Sequence, residues 1–172
     1  MITGMDFNLT DEQQMLRDGA RRFFREHYGF EQRRALLASE SGFSAECWAR
    51  YAELGWLALG QPEESGGWTC SFVETAILLE EFGRALALEP YLSSAVLCGH
   101  ILGRCSDARA GGAALQEMMK GRTRLALAHE EPGDRYDADF PGLVATRRGD
   151  GFLLQGTKSC VLDAPAADRL IV

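Results

Sequence analysis

The sequence predicts an α+β protein: an amino-terminal all-α helical bundle followed by the start of an antiparallel β-barrel or sandwich domain. Three observations carry this. Residues 10–120 hold helix caps and apolar residues recurring at helical period. At Gly121 the pattern changes to short apolar runs between turn residues. The last run, 169–172, coincides with the end of the 172 residues. So few strands cannot close a barrel, and their outer amides would stay unpaired. The expected organisation is therefore a helical domain at 1–120 and the first strands of an incomplete β domain at 121–172.

The elements follow in order. Thr10-Asp11-Glu12-Gln13 matches a capping box, in which the threonine hydroxyl and the glutamine side chain each satisfy a free backbone amide. Behind it Leu16, Ala20, Phe23, Phe24 and His27 recur at offsets of four, seven, eight and eleven, which makes one buried face ending near Gly29. Ser44 caps a second helix carrying Cys47, Trp48, Tyr51 and Leu54, which Gly55 ends before a loop at 61–67 rich in glycine and acid. Ser71 and Glu74 repeat the capping logic for a third helix, whose Phe72, Val73, Ala76, Ile77, Leu79 and Phe82 cover more than one face and mark it as central. Pro90 suits the first turn of a fourth helix reaching Leu102, because the amide it lacks would be unpaired there. A fifth helix runs over 110–119. Strands are expected at 123–128, 143–148, 152–155 and 169–172, with Arg148-Gly149-Asp150-Gly151 as a hairpin turn.

Bulk properties exclude several classes. With 46% hydrophobic and 25% charged residues, the chain can bury a sizeable core. Eighteen basic against 25 acidic residues give a net charge of -7, and basic residues cluster only in pairs such as Arg21-Arg22 and Arg33-Arg34, so nucleic acid is not the expected partner. The five cysteines form no CxxC pair and no cysteine-histidine cluster of metal-site spacing; they read as reduced, buried thiols of a cytoplasmic protein without a metal. The amino terminus lacks a basic region before an apolar core, and the stretch 92–102 is short and broken by Ser93, Ser94 and His100, so neither a signal peptide nor a membrane span is expected.

Three stretches in order then resemble the amino-terminal half of the acyl-CoA dehydrogenases. The first is Leu54-Gly55-Trp56-Leu57 through Pro62-Glu63-Glu64 to Gly66-Gly67, with Leu79-Glu80-Glu81-Phe82-Gly83-Arg84 beyond. The second is Ala126-Leu127-Ala128-His129-Glu130-Glu131-Pro132-Gly133, at the place of the family's strand and Thr-Glu-Pro loop beside the flavin. The third is Gly151-Phe152-Leu153-Leu154-Gln155-Gly156-Thr157-Lys158, with Ala167-Asp168 after it, similar to the strand before the family's flavin-contacting tripeptide.

The resemblance implies FAD as cofactor, an acyl-CoA thioester as substrate, and α,β-dehydrogenation in which a carboxylate removes a proton while the flavin accepts a hydride. It places a glutamate base in a carboxy-terminal helical bundle beyond Val172, so no catalytic residue is assigned here. It points to Leu127, His129, Glu130, Cys160 and Leu162 on the cofactor side, and to Arg135 and Tyr136 on the substrate side. Departures from the pattern carry information. Glu130 stands where threonine is usual and would bring negative charge towards an anionic cofactor. Arg135-Tyr136 replaces Gly-Ser where backbone approaches the ligand. The tripeptide Trp-Ile-Thr is here Cys160-Val161-Leu162, and Leu162 has no hydroxyl to donate.

These features look most like the smaller partner of bacterial heteromeric acyl-CoA dehydrogenases, so a homo- or heterotetramer is implied, the latter with a larger homologous subunit. A non-catalytic helical interaction protein and an acyl-CoA oxidase remain alternative readings. The acidic residues have plainer roles: Glu63 and Glu64 in a solvent loop, Glu80 and Glu81 on a helix rim, Glu131 in the turn. His129 reads as a strand residue, and His27 and His100 as helix packing.

Overall fold

A computed structural model of the protein describes residues 8–105, 108–133 and 142–172, with the backbone alone at 108–110. It divides into two compact units, one ending at Glu89 and the other beginning at Pro90.

In the first unit, α1 (Asp11–His27) starts at the expected capping box: Gln13 N donates to Thr10 Oγ1 at 3.2 Å and Thr10 N to Gln13 Oε1 at 3.0 Å. A short helix, α2 (Phe30–Leu37), follows that the periodicity does not announce, because it buries none of its residues. Its Arg33 Nε donates to Leu86 O at 2.8 Å. Ser44 caps α3 (Ala45–Glu53) by accepting from Cys47 N at 3.1 Å. Gly55 then turns with φ 76°, under the Trp68 ring, where a Cβ would meet Trp68 Cη2 at 2.6 Å. Ser71 caps α4 (Phe72–Ala85), which packs along α1.

The core between these helices is aromatic. Tyr51 and Trp56 stack at 5.3 Å, and Phe82 meets Tyr51 at 4.9 Å and Phe24 at 5.0 Å edge-on, the offset geometries that ring quadrupoles favour. The inward stripe of α4 is Thr75, Ile77, Leu78, Glu81 and Phe82, whereas Phe72 is 63% exposed and Val73 faces out with it. The expectation of buried residues from the start of α4 is thus corrected: Phe72, Val73 and Ala76 lie outside the inward stripe, and the first turn meets α1 through Glu74, which accepts from Gln13 Nε2 at 2.8 Å.

Two carboxylates are buried in this unit. Glu81, expected on a rim, is only 2% exposed; it takes both Arg21 Nη2 at 2.7 Å and Arg21 Nε at 3.2 Å. Glu89 accepts from Tyr51 Oη at 3.0 Å, Ser44 N at 3.0 Å and Tyr28 Oη at 3.4 Å. Burial, and then the Glu89 charge, push both phenols well above the ordinary tyrosine range.

In the second unit, the expected fourth helix has two registers: a π-helix (Tyr91–Cys98) running into α5 (Gly99–Gly103). After α6 (Ala108–Met119) come β1 (Leu125–Leu127), β2 (Val144–Arg148), β3 (Gly151–Gln155) and β4 (Arg169–Ile171). Leu115, Met118, Tyr91, Ala95 and Cys98 are buried, as are Leu125 and Ala126 of β1. β2 and β3 form the expected antiparallel hairpin, Val144 opposite Gln155 and Arg148 opposite Gly151, with Gly149 at φ 61° in the turn. β1, however, pairs with β4 in parallel, Leu125 with Arg169 and Leu127 with Ile171. Parallel partners need a long crossover, and the stretch that holds the hairpin supplies it. No closed barrel is present among the described residues.

All five cysteines are free thiols. Cys47 and Cys98 are buried, and burial pushes Cys98 up to about 11. Cys70 is half-buried and Cys105 and Cys160 are exposed, which corrects the expectation of five buried thiols: Cys105 follows the Arg104 cap of α5, and Cys160 lies in the turn after β3. Among the described residues no helix is long and apolar enough to cross a membrane.

Glu89→Ala removes the acceptor for two phenols and one amide, and is expected to lower unfolding stability by about 3 kcal/mol. Tyr51→Phe, which deletes one donor and keeps the ring packing, should cost about half of that. Urea denaturation of both variants beside the parent checks the order.

Candidate functional site

The site is built where β1 ends and where β3 leaves its hairpin. Arg124 fixes the start of β1 to the start of β4: its amide and Nη2 donate to the two Asp168 carboxylate oxygens, each at 2.7 Å, and its Nε to Ala166 O at 2.7 Å. Leu125 N donates to Ser94 Oγ at 2.9 Å, so a buried serine of the π-helix sets the first strand residue. Beyond β1, Ala128 N donates to Ile171 O at 2.8 Å, and the chain then turns through 129–133.

The segment after β3 lies beside that turn. Ser159 N donates to Glu130 O at 2.9 Å. Glu131 is the centre of the arrangement. Its carboxylate takes Lys158 Nζ at 2.7 Å, Gly142 N at 2.8 Å and Leu143 N at 3.0 Å, while Lys158 also donates to His129 O at 3.2 Å. Three stretches distant in sequence thus meet on one side chain. The Lys158 hydrogen bond first, and then the amide of Leu143, hold the Glu131 carboxyl below the usual carboxylate range. The turn role expected for Glu131 has this physical form.

Leu127 is half-buried on β1, with Ile171 as its strand partner. His129 is exposed and its Nε2 lies 3.1 Å from Glu130 Oε1, so the Glu130 carboxylate has a neighbour within the loop itself. Cys160 and Leu162 are exposed, Leu162 by 51%. Glu130 and the segment at 160–162 are brought together through the Glu130–Ser159 backbone bond. Arg135 and Tyr136 lie outside the described residues. His100 Nδ1 bonds to Val96 O at 2.8 Å and His27 packs on Phe23 at 5.0 Å between ring centres. No group of metal-ligating side chains occurs among the described residues.

Sequence reasoning missed two features. Lys158 was visible only as part of a motif, and its pairing with Glu131 could be suspected from opposite charge alone. The contact of Ser93 Oγ with Asp163 Oδ2 at 2.6 Å spans 70 positions and leaves no local signal.

Comparison with known proteins places this geometry in context. The family model for the acyl-CoA dehydrogenase N-terminal domain matches residues 10–122. Mitochondrial isovaleryl-CoA dehydrogenase of Bos taurus is 29% identical over 95% of this chain and 39% of its own length. Among solved structures, the Tcur3481-Tcur3483 steroid ACAD G363A variant superposes with a TM-score of 0.81 at 32% identity, over 93% of this chain and 44% of the other. The ChsE4-ChsE5 complex from Mycobacterium tuberculosis gives 0.84 at 27% identity, over 98% and 45%. The chain therefore spans less than half the length of these relatives.

Because the folded-state pKa of Glu131 is depressed, the stability it contributes is present above the ordinary carboxylate range and is lost as pH falls through the depressed value. Amide exchange at Gly142 and Leu143, followed by NMR as pH is lowered, is expected to accelerate in that acid window beyond the intrinsic trend. Glu131→Gln, with no proton to gain, should lose that extra acid dependence.

Proposed function

The chain belongs to the acyl-CoA dehydrogenase family, and from that premise we propose that it is the amino-terminal part of a subunit of an FAD-dependent acyl-CoA dehydrogenase. The family match over residues 10–122 carries this reading, supported by the meeting of the 127–131 and 158–162 segments. In the complete protein the helical domain covers residues 1–120, and the β domain begins at 121. The substrate is an acyl-CoA thioester, the compartment is the cytoplasm, and the catalytic carboxylate comes from outside these residues. FAD, when bound, would supply the hydride acceptor for the β carbon, and that carboxylate would take the α proton.

Within this reading the chain contributes one wall of the flavin pocket, and its donor set decides how well it does so. The exposed Leu162 side chain and the adjoining backbone offer apolar and main-chain surface for the face of a planar ring. Among the described residues its polar edge finds less: Leu162 has no hydroxyl, the Glu130 carboxylate lies against His129, and Lys158 is engaged by Glu131 and His129 O. Backbone groups and apolar contact must therefore do most of the holding. This favours the flavin-poor partner of a heterotetramer, in which a larger homologous subunit supplies the stronger flavin contacts. The likeness to the ChsE4-ChsE5 complex supports that assembly.

The test is anaerobic reduction. The complete protein, purified with its larger homologous partner, is mixed with acyl-CoA and its flavin absorbance followed; bleaching without oxygen is expected. Rapid peroxide formation in air would identify an oxidase instead, and the lack of any flavin in every assembly would favour an interaction protein. Leu162→Thr, which restores a hydroxyl at an exposed position, is expected to tighten FAD by about fivefold to tenfold in a fluorescence titration, the worth of one added hydrogen bond.

A further inference from the structure

The turn after β3 contains two residues with a left-handed backbone that are not glycine: Cys160 at φ 50° and Asp163 at φ 57°. Side-chain-bearing residues populate this region sparsely, and they persist there where the surroundings over-determine them. The near end of the turn is held by the Lys158–Glu131 pair and by Ser159 N on Glu130 O. The far end is held from another element. Ser93, on the π-helix and fully buried, donates from Oγ to Asp163 Oδ2 at 2.6 Å, with Pro90 O farther off at 3.3 Å. Its neighbour Ser94, equally buried, accepts from Leu125 N. Consecutive hydroxyls thus reach the two segments that form the wall. Hydroxyls excluded from water require partners, so neither contact is incidental to the packing.

We propose that Ser93 is a positioning residue: by bonding Asp163 it keeps the backbone of residues 160–162 in the shape that meets the flavin. This rests on the flavin-wall reading above. Since Leu162 supplies no hydroxyl, what the turn offers a ring is backbone and apolar surface, both of which depend on the turn's shape. Without the Ser93 hydroxyl the turn relaxes from its two left-handed residues into an ensemble, and a ligand then selects a minor member of it at a matching loss of affinity.

The experiment uses the complete protein with its larger partner, as parent, Ser93→Ala, Asp163→Ala and Asp163→Asn. It reads amide exchange at 160–163 in the cofactor-free state and FAD affinity by fluorescence titration. Ser93→Ala should speed exchange at 160–163 about tenfold or more and weaken FAD by a similar factor, leaving exchange in α6 and the β2–β3 hairpin unchanged. Asp163→Asn keeps an acceptor oxygen and tolerates a left-handed backbone, so it should stay near the parent. Asp163→Ala, which also puts alanine on a left-handed backbone, should be at least as severe as Ser93→Ala, and a Ser93→Ala/Asp163→Ala double variant, made for the same comparison, should lose little beyond Asp163→Ala. If Ser93→Ala does not fold, the two Asp163 variants carry the same comparison.

Unchanged exchange at 160–163 overturns the proposal. So does acceleration spread evenly over the unit, or local acceleration with FAD affinity intact. A parent protein that binds no FAD in any assembly fails the flavin reading itself; exchange alone then still decides whether Ser93 holds the turn.

Discussion

A half-buried carboxylate that collects donors from distant stretches ties those stretches to one another, and the second unit depends on one such group. Glu131 collects an ammonium and two backbone amides, so the loop after β1, the entry to β2 and the exit from β3 are fixed to one another by a single side chain. Charge-assisted bonds of this kind are stronger than neutral ones. The parallel pairing of β1 with β4 has the same dependence on a carboxylate, since Asp168 caps the amide and guanidinium of Arg124 where the two strands begin. The first unit repeats the device around a different core, with Glu81 held by Arg21 and Glu89 by two phenols.

This distribution explains what the sequence made legible. Helix starts depend on residues within three positions of each other, so the caps at Thr10, Ser44 and Ser71 could be read directly. The hairpin was legible for the same reason, its turn and both strands being contiguous. Elements fixed by distant partners were not. Helix α2 buries nothing and so has no apolar period to detect. Glu81 looks like any surface acid until Arg21 is brought against it across 60 positions. The orientation of β4 depends on where its crossover leads, which alternation of residues does not encode.

The candidate site was legible to the level of segments. Motif resemblance picked out 126–133 and 151–158, and the fold brings their ends together at Glu130, Glu131, Lys158 and Ser159. What it could not supply was the reason the segments stay together. The substitutions at Glu130 and Leu162 now have a structural setting: the first lies against His129, and the second is exposed between two left-handed residues held from outside the turn. A frame is thus retained around a contact surface whose polar side chains have changed. The proposed function takes that combination as a subunit that shapes a flavin pocket while a partner supplies the strongest contacts.

The most direct measurement of this account is the ratio of flavin to protein in the complete assembly, compared with the ratio in the isolated subunit. The account predicts substoichiometric flavin in the isolated subunit and about one flavin for each pair of unlike subunits in the complex, as expected when one partner supplies most of the binding free energy. Full flavin occupancy of the isolated subunit, stable to gel filtration, would contradict it.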